Sequence, residues 1–235
     1  MTASRRRIYL MRHGAVDYFR ADGSAAPPQG VPLNANGREQ ADAAGRLFAD
    51  GGIRFDAVLT SGLPRTLETA TRVLAASGQP ALPMVADDRL QEILFGDVAA
   101  IPRDQLESAF TRAFDVRSNV EDHRFLGGES IGELLDRVLP AFDAVLQRDD
   151  WRCLLMVLHG GVNRALLARA ATGQRSFLGR IEQGPGCINI IDAPPGTDSL
   201  VLRGVNLTPM QWLQQNERLT TMEKLLAQLL KAQLS

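Results

Sequence analysis

The chain has little of what disulfide and metal chemistry usually requires. Cysteine occurs twice, at Cys153 and Cys187, each inside an apolar run, and histidine three times. There is no C-x-x-C pair and none of the usual zinc spacings, so the thiols read as buried strand residues and no metal or cofactor is expected. Long hydrophobic runs are missing too. The apolar stretch after the basic start Met1–Arg7 ends at Met11, too short for a secretory core, and nothing reaches transmembrane length. Nor does either charge dominate. With 26 basic and 27 acidic side chains the net charge is −1, which argues against a nucleic-acid or membrane partner while leaving room for a local basic pocket. A cytoplasmic protein is the expectation.

What is present is ordinary globular material: 235 residues, 45% apolar and 23% charged, enough for one large α/β domain or two small ones. Ile8-Tyr9-Leu10-Met11 reads as a short buried strand that breaks at Arg12-His13-Gly14. Residues 21–32 are rich in Gly, Ala, Pro and Ser and mark a loop. A helix follows over 33–50, capped by Asn34 or Asn36 and stopped by Gly51-Gly52. A strand over 56–60 leads through Ser61-Gly62-Leu63-Pro64 into a helix to about Ser77, with Pro64 suited to the first helical position.

Leu82–Val85 is a candidate strand, and a long excursion over 97–128 holds a helix near Arg103–Phe114. A helix over 129–146 precedes Cys153–Leu158, whose six apolar residues predict a strand buried on both faces. That strand breaks at His159-Gly160-Gly161 into a helix over 162–171. Residues 187–191 and 200–205 read as closing strands. Strand and helix alternate, which predicts an α/β fold with a mostly parallel sheet. Met222, Leu225, Leu226, Leu229 and Leu230 form an amphipathic stripe, fitted to pack on its own domain or against a second copy in a homodimer.

Three strand ends stand out: Arg12-His13-Gly14, residues 60–65, and His159-Gly160-Gly161. In open α/β sheets ligands bind beyond the carboxyl ends of the strands. If these strands are parallel neighbours, Arg12, His13, Arg65 and His159 converge on a pocket suited to a dianion such as phosphate. Arg65 adds the free N–H groups of a helix start. Each residue also has a plainer reading. His13 alone could be any core histidine, Arg65 could pair with Glu68, and His159-Gly160-Gly161 could be a simple strand-to-helix turn.

The motifs Leu10-Met11-Arg12-His13-Gly14, Leu33-Asn34 with Gly37 and Gln40-Ala41, and Ser61-Gly62-Leu63-Pro64-Arg65-Thr66 with Thr69-Ala70 come in that order. Leu90-Gln91-Glu92 with Phe95-Gly96, Gly127-Gly128-Glu129-Ser130 and His159-Gly160-Gly161 follow. Together they resemble the histidine phosphatase, or phosphoglycerate-mutase-like, superfamily. The resemblance implies a three-layer α/β/α sandwich, with a catalytic domain over 1–210, a lid or insert over 97–128, and a C-terminal amphipathic helix over 211–235. It implies that His13 attacks phosphorus, that Arg12, Arg65 and His159 hold the phosphoryl oxygens, and that Glu92 serves as acid and then base. Asn34 would help to hold a phosphate oxygen. The chemistry is consistent: neighbouring guanidiniums keep His13 neutral, and Glu92 must begin protonated, which partial burial near an incoming phosphate favours. Asp17, Asp88 and Asp97 are rival acids whose plainer roles are capping or surface solvation. His123 reads as a lid or surface residue within reach of substrate.

Two departures bear on substrate. Ala15-Val16-Asp17 follows the Arg-His-Gly turn where many relatives carry Glu or Gln and then Thr. Ile93-Leu94-Phe95 follows the acid where glycolytic mutases carry an arginine and a tyrosine. A phosphomonoesterase acting on a small phosphorylated metabolite is therefore expected ahead of a mutase or a catalytically silent phospho-ligand binder. Its specificity is expected in the 15–32 loop and the 97–128 excursion.

Overall fold

Side-chain alternation along the central strand separates two cores. In β4 (Cys153–Leu158), Leu154, Met156 and Leu158 face one cluster, while Leu155 and Val157 face the other. Strand β1 (Arg6–Arg12) repeats the division, with Ile8 and Leu10 on the first side and Tyr9 and Met11 on the second. The coordinates, a computed structural model, describe residues 5–19, 26–115, 120–194, 199–215 and 217–232. Within them the sheet also contains β2 (Ala57–Thr60), β3 (Val85–Ala86), β5 (Ile188–Ala193) and β6 (Val201–Leu207), in the order β3-β2-β4-β1-β5-β6. Only β5 runs against its neighbours, so the sheet is mostly parallel as expected.

Helices complete the three layers. α1 (Ala35–Asp50) and α2 (Pro64–Ala76) cover the Tyr9 side through Ala41, Ala44, Phe48, Ala70, Val73 and Leu74. The Ile8 side is covered by α3 (Arg103–Thr111), α4 (Ile131–Gln147), α5 (Gly160–Thr172) and α6 (Thr221–Ala232). Met222, Leu226 and Leu229 of α6 are buried in this core, so the C-terminal stripe is spent on its own domain, with Leu230 left exposed. Among the described residues, no helix is long and apolar enough to cross a membrane.

Several boundaries differ from expectation, each for a local reason. The strand expected at 82–85 is reduced to Val85–Ala86, since Pro83 offers no N–H to a ladder. Helix α4 starts at Ile131, because Ser130 and Glu133 form a reciprocal capping box that leaves Glu129 outside the helix. Asn34, not Asn36, caps α1 by accepting from the Gly37 N–H at 2.9 Å. α5 begins at Gly160, two residues early, with His159 at its N-cap. α3 stops at Thr111. Of the 97–128 excursion, residues 116–119 lie outside the described residues; the remainder is anchored in the larger core by Leu106, Phe110, Ala113, Phe125 and Leu126. Residues 20–25 of the 15–32 loop likewise lie outside them.

Strands β1, β4 and β2 end level with one another, Arg12 pairing with Leu158 and Val157 with Thr60, so their carboxyl-terminal turns share one edge. There the turn after β1 is pressed against the start of α1. A Cβ on Gly14 would lie 2.4 Å from the Gly37 oxygen, and one on Gly37 would lie 2.1 Å from the Ala15 oxygen. The pressure comes from backbone, which cannot yield as a side chain can. Gly37→Ala is therefore expected to destabilise by about 1–3 kcal/mol, the usual cost of overpacking. An unchanged urea midpoint would contradict this close approach.

Candidate active site

His13 follows β1 directly, and its N–H donates to the Leu158 carbonyl at 2.9 Å, which ties it to the end of β4. Its Nδ1 lies 2.7 Å from the Gly14 carbonyl oxygen. A carbonyl can only accept, so Nδ1 carries the proton and Nε2 bears the lone pair. That Nε2 is buried and has no hydrogen-bond partner among the described residues. The turn is held from several sides: the Gly14 N–H donates to Thr69 Oγ1, the Ala15 N–H to Gln40 Oε1, and the Gly186 N–H to the His13 carbonyl.

His159 lies beside it, the two rings meeting edge to face with centroids 5.2 Å apart. Its Nε2 is 2.7 Å from Ser61 Oγ and its Nδ1 is buried without a partner. Arg12 and Arg65 complete the group. Arg12 donates through Nη1 to the Gln183 carbonyl and to Thr221 Oγ1, and Arg65 through Nη1 to the Pro28 carbonyl, while the Nε of each is buried and unpartnered. The expected ion pair between Arg65 and Glu68 is not formed, because Glu68 accepts from Arg38 and from the Leu33 N–H. Every member of the set thus holds one polar nitrogen without a partner among the described residues, which is unusual for buried groups. The arginine N–H groups suit an accepting anion, and the His13 lone pair suits attack on an electrophile.

Electrostatics follow from this packing. Burial, then the charges of Arg65 and Arg12, hold the His13 imidazole well below the usual histidine range, against a smaller opposing effect of its bond to Gly14. Burial, Arg65, His13, Arg12 and Arg137 do the same for His159. Both rings are neutral at physiological pH.

Arg12, His13, Arg65, Glu92 and Asn34 line one cavity of about 850 Å³. His159 is fully buried behind the His13 ring. Glu92 is half-buried and accepts from the Gly161 N–H at 3.0 Å, at the start of α5. A Cβ on Gly161 would lie 2.7 Å from Glu92 Oε1, so glycine there admits the carboxylate. Arg137 braces the loop before Glu92 by donating to the carbonyls of Arg89, Gln91 and Glu92, and is itself held by Glu129 at 2.7 Å. Glu129 also accepts from the Leu94 N–H. The motif Gly127-Gly128-Glu129-Ser130 therefore positions the acid loop rather than touching the anion.

The remaining candidates sit elsewhere. Asn34 lines the cavity, yet its Oδ1 caps α1 and its Nδ2 donates to Asp17. Asp17 and Asp88 are exposed, Asp97 caps a short turn through the Ala99 N–H, and none of the three lines the cavity. His123 donates through Nε2 to the Ala113 carbonyl, 2.9 Å away, and braces the excursion. Both cysteines are free, with burial raising their thiols to about 11 for Cys153 and about 12 for Cys187.

Residues unforeseen from sequence are Gln183 and Thr221, which hold Arg12, together with Arg137 and Arg164. Arg137 falls two helical turns after Glu129, a spacing that could have suggested a shared face. Thr221 follows a Thr220–Glu223 capping box that marks the start of α6. Gln183 had no local signal.

The sequence profile of the histidine phosphatase superfamily (branch 1) matches residues 8–206, and the chain belongs to that superfamily of enzymes. A 2,3-bisphosphoglycerate-dependent phosphoglycerate mutase of Methylobacterium sp. (strain 4-46) is 35% identical over 141 residues, which cover 56% of this chain and 64% of that protein, less than two thirds of its length. A mutase of the same name from Staphylococcus haemolyticus (strain JCSC1435) is 28% identical over 189 residues, covering 68% of this chain and 82% of the relative. Among solved structures, the alpha-ribazole phosphatase from Shigella flexneri superposes with a TM-score of 0.65 at 26% identity, covering 85% of this chain and 96% of that one. A phosphoglycerate mutase from Bacillus anthracis str. Sterne shares the fold at a TM-score of 0.64 and 19% identity, with 98% of each chain covered.

The two neutral imidazoles carry a pH signature. In the unfolded chain a histidine protonates near pH 6.5, whereas His13 and His159 in the fold stay neutral well below that. The unfolded state then binds more protons, so stability is fully present above about pH 6.5 and lost as pH falls. Each residue is expected to contribute about 1.4 kcal/mol in all between pH 7.5 and 5.5, the slope steepening toward about 1.4 kcal/mol per pH unit at the acid end. Urea titrations between pH 7.5 and 5.5 read the slope. His159→Asn should reduce it, and an unchanged slope would show the ring to be protonated in the fold.

Proposed function

We propose that this enzyme is a phosphomonoesterase that hydrolyses a small phosphorylated metabolite through a phosphohistidine on His13. The observation that carries the reading is the bare, neutral Nε2 of His13, buried beside Arg12 and Arg65 and sharing a cavity with Glu92. In the first step the Nε2 lone pair forms a bond to phosphorus as the bond to the leaving oxygen breaks, and Glu92 gives that oxygen its proton. Arg12, Arg65 and His159 hold the equatorial oxygens as charge spreads over them, the two guanidiniums supplying the positive charge that the transfer needs and His159 a neutral polar contact. In the second step the Glu92 carboxylate takes a proton from water, the water oxygen bonds to phosphorus, the P–N bond breaks, and inorganic phosphate leaves. Asn34 stands at the cavity wall as a further contact for a phosphate oxygen.

The names of the curated relatives favour a second reading, transfer of the phosphoryl group back to a phosphoglycerate. Against it, the positions after the acid are Ile93, Leu94 and Phe95, which line the cavity without offering a cation.

Hydrolysis of p-nitrophenyl phosphate without added metal is expected, unaffected by EDTA and inhibited competitively by vanadate. His13→Ala should abolish turnover together with acid-labile protein phosphate; labelling that survives would reveal another nucleophile. Glu92→Gln should lower kcat by about 10²–10⁴-fold, most of all with poor leaving groups. Isomerisation of phosphoglycerate outpacing hydrolysis, with dependence on bisphosphoglycerate, would replace the phosphatase reading by the mutase one.

A further inference from the structure

The cavity of about 850 Å³ is far larger than a phosphoryl group and lies in the range that encloses a drug-sized ligand. Its two ends differ in chemistry. Arg12, His13, Arg65 and Glu92 form one end. Large apolar side chains also line the cavity, Phe95, Phe110 and Phe114 from the acid loop and the 97–128 excursion, and Met210, Leu219 and Leu225 from the C-terminal segment, with Gln211, Gln214 and Gln228 among the polar residues between them. Three of these large side chains are left substantially exposed, Phe95 at 42%, Met210 at 50% and Leu219 at 53%. Apolar surface of this kind gains most when a ligand covers it. The charged groups of the C-terminal wall make contacts within the protein. Lys224 pairs with Glu217, and Arg218 donates to the carbonyls of Gln214 and Glu217.

The same C-terminal segment lies beyond residue 206, where the family match ends. It is nonetheless joined to the phosphate end, since Thr221 Oγ1 accepts from Arg12 and donates to Glu182. It therefore adds a wall to the cavity beyond the span of the family match. Resting on the phosphatase reading, we infer that the substrate is a phosphomonoester whose alcohol part is an extended apolar or aromatic body, not a small hydroxy acid. The apolar side chains of residues 208–215 and 217–228 select it, covering that body together with Phe95 and Phe114.

Ethyl, butyl and hexyl phosphate test this, because their leaving alcohols are closely matched in acidity and the series reports burial of the chain. kcat/KM is expected to rise about two- to fourfold per added methylene, the gain for removing a CH₂ from water. Glycerol 3-phosphate and 3-phosphoglycerate should trail propyl phosphate, since covering Phe95, Met210 and Leu219 with polar groups forfeits the apolar gain and costs their desolvation. Leu219→Glu should flatten the series, costing hexyl phosphate about tenfold more than ethyl phosphate. A flat series in the unaltered enzyme, with turnover intact, would overturn the substrate class and leave the phosphatase reading standing. If neither the series nor p-nitrophenyl phosphate is hydrolysed, the phosphatase reading fails separately. Calorimetric affinities for the same alkyl phosphates then decide: tightening with chain length supports the apolar wall, and equal affinities overturn it.

Discussion

Two guanidiniums buried against two imidazoles are the constraint around which the molecule is arranged. A buried charge without compensation costs several kcal/mol, and like charges placed together cost more. The fold meets this by giving Arg12 and Arg65 backbone carbonyls rather than carboxylates, the Gln183 oxygen for one and the Pro28 oxygen for the other. A carboxylate partner would neutralise the site, whereas a carbonyl dipole steadies each arginine and leaves its charge available to an anion. Burial first, and then the same positive field, keep protons off His13 and His159, so the charges that suit a dianion also help to keep both rings neutral.

The acid side of the site is built from different parts. Glu92 belongs to no helix or strand, and a loop of that kind is held only by what grips its backbone. Arg137 grips it by donating to successive carbonyls before the acid, and Glu129 closes the arrangement by pairing with Arg137 and accepting from the Leu94 N–H. From the other side, the bare backbone of Gly161 lets the carboxylate rest on the start of α5. One helix, α4, thereby orients the acid without contributing a group to the reaction. Helix α5 joins the two halves, with His159 at its cap and the Glu92 contact one residue into it.

Sequence by itself determined most of the elements and the grouping of polar residues at one sheet edge. The unbroken apolar run Cys153–Leu158 could only be a strand covered on both sides, and the alternation around it required a mostly parallel sheet. Arg12, His13, Arg65 and His159 each follow an apolar strand within a few residues, and parallel strands deliver such turns to one edge. Short-range chemistry of this sort is written locally, as are the Asn34 and Ser130 caps.

What only the tertiary structure decided is everything that depends on distant pairs. Thr221 reaches Arg12 across 209 positions and Gln183 across 171, and neither has a periodicity or motif that announces the contact. The role of Glu129 was hidden because its partners are a backbone N–H and an arginine on the next helix. The C-terminal stripe at Met222, Leu226 and Leu229 declared an apolar face but not the surface that would cover it. Hydrophobic burial is non-directional, so a pattern in one segment specifies that it must be buried, while only the assembled chain specifies against what. That same assembly turned Met210, Leu219 and Leu225 into part of the cavity wall.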